Sequence, residues 1–449
     1  MFETAGIRST ERVCSALSIV SLAVLLGACA HTSPPDPAVP KSWVVENVAS
    51  KTTEELYREF IKPGVFERSS SKVIDGYTVE SGNLVMPDKS VGSLITVRSK
   101  DGSLTAFIEG PDKRGLLVVT SNGESRFSPS SPHDYSLPDT LQGKEVLKPP
   151  ASVLTGVASP YVIDILIGYS RAAVVLAGGD AYANALAKVE SVNLALRNSL
   201  TSNVSMRLAG VQIVEQNYPM NGETLEKLPQ IFSSGMQNYN PDMLFGAFAP
   251  TPDDTAAGWA YLPGRTAIGH VSDGWVFRHE VAHNAGGNHC HVPGGSYNYG
   301  FKNGKNGTIL CGEDTPYYSN PNVRDENGLP RGNSTTADMA RVWRENAQRL
   351  SSYATCLTKP PTEFRVTSTS YGTIDFAWAR FPGAAKYEIW GRDNLLLPPK
   401  KYGESTTLNG KAINVPSGIR PYHLKAVCSD GTTSPNSNVV SAKPYEGVK

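Results

Sequence analysis

Eleven residues, HEVAHNAGGNH from His279 to His289, constrain this chain more than any other stretch. Three of its eight histidines fall there. The pattern asks for a helix followed by a sharp turn. Ser272 and Asp273 can cap a helix running through WVFRHEVAHN. His279 and His283 are four apart, so they leave one helical face about 5–6 Å from each other. Both imidazoles then reach one zinc ion, with Zn–N near about 2.0–2.1 Å. Glu280, next to the first ligand, can reach a water at the metal without being a ligand itself. Gly286 takes a left-handed conformation without a Cβ clash and ends the helix. The chain turns back and brings His289 to the same ion. Three histidines leave a fourth position open, as a catalytic zinc requires. A bare HExxH arises by chance in about one such chain in a hundred, and the spaced glycine and third histidine lower that by roughly several hundredfold. The metal reading therefore outweighs coincidence.

The N-terminus reads as an export segment. Arg8 and Arg12 make a weakly positive start, diluted by Glu3 and Glu11, and Val13 to Ala28 is almost wholly apolar. That run is short for a membrane span, which needs about 20 residues, but fits a signal peptide over 1–28. Leu26-Gly27-Ala28-Cys29 resembles the lipobox of bacterial lipoproteins. The resemblance implies lipidation of Cys29 and, with Ala30 rather than Asp following, the outer membrane of a Gram-negative cell. An ordinary secretory signal cut at an Ala-x-Ala-like site is the rival. Residues 29–41 form a Pro-rich tether. Once Cys14 leaves with the signal and Cys29 carries lipid, Cys290, Cys311, Cys356 and Cys428 remain. Of the three pairings, Cys290–Cys311 and Cys356–Cys428 are expected, because each closes a moderate loop. A metal role for Cys290 and Cys311 is the alternative, disfavoured by an oxidising compartment.

A chain of 449 residues is too long for one ordinary core. Charged residues at 19% and hydrophobic ones at 40% describe a globular protein. Lys+Arg and Asp+Glu are both 42, so no basic field points to nucleic acid. Proline clusters at 148–160 and 359–361 mark boundaries. Residues 42–150 start with a helical stretch, TTEELYREFI, and continue in strands such as GSLITVRSK, SLTAFIEG and RGLLVVTS. A mostly antiparallel β domain is expected there. Residues 158–357 alternate strands (YVIDILIG, MRLAGVQIV, PDMLFGAFA) with a helix whose Leu186, Val189, Leu196 and Leu200 fit one face. This predicts an α/β domain with a mixed sheet. Residues 362–445 return to short strands, which predicts an antiparallel sandwich. Trp378, Tyr387, Tyr422 and the run PYHLKAVC resemble a fibronectin type III domain, which implies core roles for the three aromatics.

The spacing H-E-x-x-H-x-x-G-x-x-H is the signature of the metzincin zinc endopeptidases. YVIDILIGYS, AGWAYLPG, GTIL and YYSNPNV resemble bacterial relatives of the adamalysin (reprolysin) branch, and the likeness covers 158–357 only. It implies an α/β metzincin domain holding one catalytic Zn2+ on His279, His283 and His289, with Glu280 as general base in hydrolysis of protein or peptide substrates. Gly258, Trp259, Ala260 and Tyr261 would form the edge strand that binds an extended peptide. Tyr318 would wall the pocket beyond the scissile bond, although it also reads as an ordinary packing aromatic. Leu310, in GTIL, stands where the family carries a methionine in a turn beneath the zinc. Such an exchange usually costs under about 1.5 kcal/mol. Met339 falls in a later helix and reads as core. The sequence leaves a structural Ca2+ open.

Residues 42–150 would be a prodomain or folding helper. They contain no cysteine, so a thiolate from them cannot cover the metal. Cleavage near 148–158 would free the catalytic part from its lipid. The second reading is a non-catalytic surface lipoprotein binding a host or envelope partner, with the C-terminal domain holding a protein or glycan. Glu280 speaks against it, since a site that only binds needs no base.

Overall fold

The structure, a computed structural model, describes residues 41–44, 51–53, 55–56, 64–110, 113–130, 137–144, 161–290, 292, 295–312, 315–354, 360–381, 384–393, 397–428 and 431–445. The signal segment, Cys29, most of the tether and Cys356 lie outside them. Of TTEELYREFI, residues 53, 55 and 56 are helical and the rest, apart from Thr52, falls outside as well. Among the described residues no helix is long and apolar enough to cross a membrane. The protein is multidomain and mostly β, built on several sheets.

The first sheet has seven strands: β1 (Lys41–Val44), β2 (Val65–Ile74), β3 (Tyr77–Val85), β4 (Val91–Arg98), β5 (Leu104–Glu109), β6 (Arg114–Val119) and β7 (Glu124–Pro129). They are antiparallel throughout, in the order β1-β7-β6-β5-β4-β3-β2. Asp75 and Gly76 make the β2–β3 turn with φ of 49° and 87°, the left-handed pair that an Asp-Gly hairpin supplies. Side chains alternate across the sheet. Leu104, Ala106 and Ile108 join Leu84, Leu94 and Leu117 on one face. Val79, Ile95, Val97, Phe107, Leu116 and Val118 leave the other face and enter the core of the next part. An antiparallel sheet commonly keeps one face wet; here all six residues of β5 are buried.

The second sheet runs β10-β9-β11-β13-β12-β8, from β8 (Thr140–Gln142), β9 (Tyr161–Ser170), β10 (Val204–Val214), β11 (Met243–Phe248), β12 (Gly258–Leu262) and β13 (Thr266–His270). It is parallel except for the β12/β13 pair. The apolar run of β9 suits a parallel strand covered on both faces. Among the described residues six helices accompany it: α1 (Arg171–Leu176), α2 (Ala181–Asn198), α3 (Gly222–Ile231), α4 (Ser233–Tyr239), α5 (Gly274–Ala285) and α6 (Met339–Leu350). The stripe expected on α2 is corrected in two ways. Leu200 lies beyond the cap Ser199, at φ 55°, and is 61% exposed. The helix itself is buried almost all round, because the first sheet covers the side that a lone α/β domain would leave to water.

The C-terminal strands form a three-stranded sheet (Arg365–Ser370, Thr373–Ala377, Asn409–Ile413) and a four-stranded one (Lys400–Ser405, Ala384–Gly391, Arg420–Cys428, Val440–Ala442). Trp378, Tyr387 and Tyr422 are buried in their shared core. The Phe381 N–H donates to the Tyr387 hydroxyl at 2.9 Å. Asp164 of β9, fully buried, pairs with Arg207 and with Arg380, which joins this part to the second sheet.

Candidate metal centre

The motif helix α5 is buried at all twelve positions. It ends where the glycine pattern requires. Gly286 is left-handed at φ 116°, and the Gly287 N–H donates to the Ala282 carbonyl. Its start differs from expectation. Asp273 is the N-cap, but its side chain makes no capping bond; the carboxylate faces His270 Nδ1 at 3.6 Å instead.

The turn brings three imidazoles to one point. His289 Nε2 lies 3.2 Å from both His279 Nε2 and His283 Nε2. A tetrahedral ion held at about 2.1 Å would separate its nitrogen ligands by about 3.4 Å, so the spacing fits. The His283 Nδ1–H donates to the Gly287 carbonyl at 2.7 Å, which turns the Nε2 lone pair toward that point. Burial holds His279 well below the usual imidazole range, and therefore neutral, as a metal ligand must be.

A fourth donor comes from the chain before the second sheet. Asp139 Oδ2 lies 2.9, 3.4 and 3.8 Å from Nε2 of His289, His279 and His283. All four donor atoms fall within 4.8 Å of one another, and the group could hold a metal ion. Asp139 is 1% exposed, and its Oδ1 is buried without a hydrogen-bond partner. Burial raises its pKa, yet the three histidines outweigh that and hold the carboxyl far below its usual range. A buried carboxylate with one oxygen unpaired, set among three imidazole nitrogens, is a donor set that a cation would satisfy. Nothing in the sequence singled out Asp139, an isolated acid in a loop.

The same segment occupies the edge of the sheet. β8 pairs in parallel with β12, Thr140 opposite Ala260 and Gln142 opposite Leu262. The Ala260 N–H donates to the Asp139 carbonyl at 2.9 Å, and the Gly143 N–H to the Leu262 carbonyl at 3.1 Å. The expected peptide-binding edge, Gly258–Tyr261, lies in β12, which is thus an inner strand here, covered by the chain itself. Its side chains are committed elsewhere. Trp259 packs in the core and donates from Nε1 to Thr255 at 3.1 Å, and Tyr261 packs beside it. Gly258 leaves room for Glu280: a Cβ there would lie 2.5 Å from Glu280 Oε1. Glu280 is fully buried.

Beneath the histidines, Leu310 is buried at φ 76°. Its Cδ1 and the Cε of Met339 stand where a Cβ of Gly287 would be. Met339 was expected to be core, and it is; the sequence did not show that it reaches the ligand turn. Cys290 and Cys311 form a disulfide, which replaces the metal reading of that pair. The bridge ties the residue after His289 to the residue after Leu310. Cys428 is also disulfide-bonded. The pocket role of Tyr318 is corrected. The side chain is fully buried against Trp343, and its hydroxyl donates to the Arg278 carbonyl at 3.0 Å. The ring is spent on packing.

Behind the helix, Arg278 pairs with Glu109 of the first sheet, and both are buried. Lys188, also buried, donates to the carbonyls of His270 and Asp273 at 3.3 and 3.2 Å. Burial brings its pKa down to about 7. His270 lies between Asp254, at 2.8 Å, and Asp273.

No family model matches the chain, and no curated protein matches it. Parts of it are similar to solved structures. One chain from "Structure of a chaperone-substrate complex" is 20% identical over 58% of this chain at a TM-score of 0.39, and this chain spans 45% of its length. An Fn3-like protein from Clostridium thermocellum is 22% identical over 20% of this chain and 95% of its own, at a TM-score of 0.17. The FN5 domain of Drosophila Lar is 19% identical over 20% of this chain and all of its own, at a TM-score of 0.18.

Proposed function

We propose that the chain is a zinc-dependent endopeptidase of the metzincin type, exported and lipid-anchored through Cys29, and that the form described is latent. The observation that carries this reading is the convergence of three histidine Nε2 atoms beside a buried glutamate and a sheet edge. His279, His283 and His289 would hold the ion. Zinc, when bound, supplies Lewis acidity that polarises a scissile carbonyl and acidifies a water. The chain provides the rest. With β8 withdrawn, the main chain of β12 would become an edge on which an extended peptide can add as a strand. Glu280, against Gly258, sits under the start of that edge and is placed to take a proton and pass it to the leaving amine. Asp139 and β8 cover donor set and edge together, which is what latency requires. The C-terminal sandwich would hold a protein or glycan partner.

The test is zinc content and casein cleavage. The unaltered chain and Asp139→Ala should both carry near-stoichiometric zinc, with cleavage appearing in Asp139→Ala and vanishing when Glu280→Ala is added. Absence of metal, or cleavage that survives Glu280→Ala, overturns the reading. Zinc without cleavage in any form points to the binding lipoprotein.

A further inference from the structure

The chain before Tyr161 meets the second sheet in two physically different ways. The first sheet shares a core with it: Val79, Ile95, Val97, Phe107, Leu116 and Val118 lie in one cluster with Ile165, Phe277 and Val281. Phe107 abuts Gly274, where the motif helix begins, and its ring lies 5.0 Å from Lys188 Nζ. Buried charges cross the same boundary. Glu109 accepts from Arg278, the residue before the first histidine, and from Ser93 Oγ at 2.7 Å. Glu190 of α2, 1% exposed, accepts from Lys72 Nζ and Ser81 Oγ, both at 2.6 Å. Taking the sheet away uncovers apolar side chains and strips these charges of partners. Segment 139–142 is held by much less: Asp139 is its one buried charge, and Leu141 alone packs, half-buried, against a core cluster. β8 is three residues long, and its side chains are half-buried or exposed. Its hold is a short ladder, the Asp139 carboxylate, the half-buried Leu141 and one exposed bond from Gln142 Nε2 to the Leu262 carbonyl. Short, poorly buried elements open locally at little cost, whereas a shared core opens only with the whole fold.

We infer that the seven-stranded sheet is a permanent wall of the metal-binding part, with Glu109 as a positioning residue for the motif helix, and that inhibition is confined to the segment Asp139–Gln142. The inference rests on the reading above for its catalytic half. Activation then consists of withdrawing one short segment, not of discarding a domain. An activated enzyme keeps its N-terminal sheet.

A specific protease site placed between Lys144 and Tyr161 tests this. After cutting, the two pieces should co-elute on size exclusion and separate only in denaturant. Asp139→Ala should cleave casein as an uncut chain and keep that activity after the cut. Separation of the pieces under native conditions, with the piece beginning at Tyr161 cleaving alone, overturns the inference. So does an Asp139→Ala chain that stays silent until its sheet is removed. The positioning role is read in the visible absorption of the cobalt-substituted protein. Added to Asp139→Ala, Glu109→Ala should shift those bands and lower kcat in a folded chain, and unchanged bands and kcat reject it. If Glu109→Ala does not fold, Glu109→Gln carries the same readout. Zinc binding without cleavage in every form would sink the proposed function, while co-elution would still decide the permanence of the sheet.

Discussion

Asp139 Oδ2 lies 2.9 Å from His289 Nε2, although 150 residues of chain separate them. The carboxylate lies within the same group of donor atoms as the imidazoles, so a bound metal and the covering segment would hold each other. A ligand present at about a thousandfold over its Kd stabilises the fold by about 4 kcal/mol. Chelation should therefore lower the Tm of the unaltered chain, and lower it less in Asp139→Ala, where one donor is already gone. Calorimetry with and without chelator reads the difference. Equal shifts would remove Asp139 from the donor set.

Gly258→Ala should impair turnover and leave metal content intact. The new Cβ would lie 2.5 Å from Glu280 Oε1 and 2.7 Å from Val276 Cγ1, with the backbone held in the ladder opposite Gly269 of β13. The carboxylate must give way. Introduced together with Asp139→Ala, the change should lower kcat by an order of magnitude or more, since small misplacements of a reacting group cost up to about 100-fold. Kinetics beside elemental analysis check this.

Leu310→Met should be nearly silent, within about 1.5 kcal/mol, because the volume is conserved. Met339→Ala should cost about 2–5 kcal/mol, since Met339 fills the space against Gly287 from below. Denaturant midpoints separate the two. A large loss from Leu310→Met would show that the turn tolerates only leucine.

His270 should make stability depend on alkaline pH. Burial lowers its pKa, but Asp254 and Asp273 raise it to about 9, with Lys188 facing the same junction. A folded pKa above the unfolded value of about 6.5 means stabilisation that is fully present below pH 6.5 and lost as pH rises through about 9. The size is about 3 kcal/mol. Unfolding of His270→Gln against the unaltered chain, from pH 6 to 10, should show a gap that closes toward the alkaline end. A constant gap contradicts the protonated pair.

Replacing Cys290 and Cys311 by serine should cost about 3 kcal/mol from the freed loop. It should also weaken metal retention, because the bridge joins the neighbour of His289 to the neighbour of Leu310. Metal dissociation followed with a colorimetric chelator would register the second effect. Unchanged dissociation would confine the bridge to general stability.

The spacing of His279, His283 and His289 made their convergence legible, because a helix and a glycine turn leave few other geometries. Asp139 was not legible. A single acid far along the chain obeys no local period, and Thr140–Gln142 is too short to show a strand pattern. Leu200 was misread because the helix ends two residues before it. The all-round burial of α2 and the missing capping bond of Asp273 share another reason: local rules assume the neighbours of an isolated element, whereas α2 has the first sheet against it and Asp273 has His270. Tyr318 was ambiguous between pocket and core, and the Arg278 carbonyl decided it.

Chains leave the ribosome from the N-terminus, and N-terminal parts fold first. Asp139 is made 150 residues before His289. On the latency proposed above, the plug is therefore made before the hole it fills, and the histidine cluster would be completed only when its cover already exists.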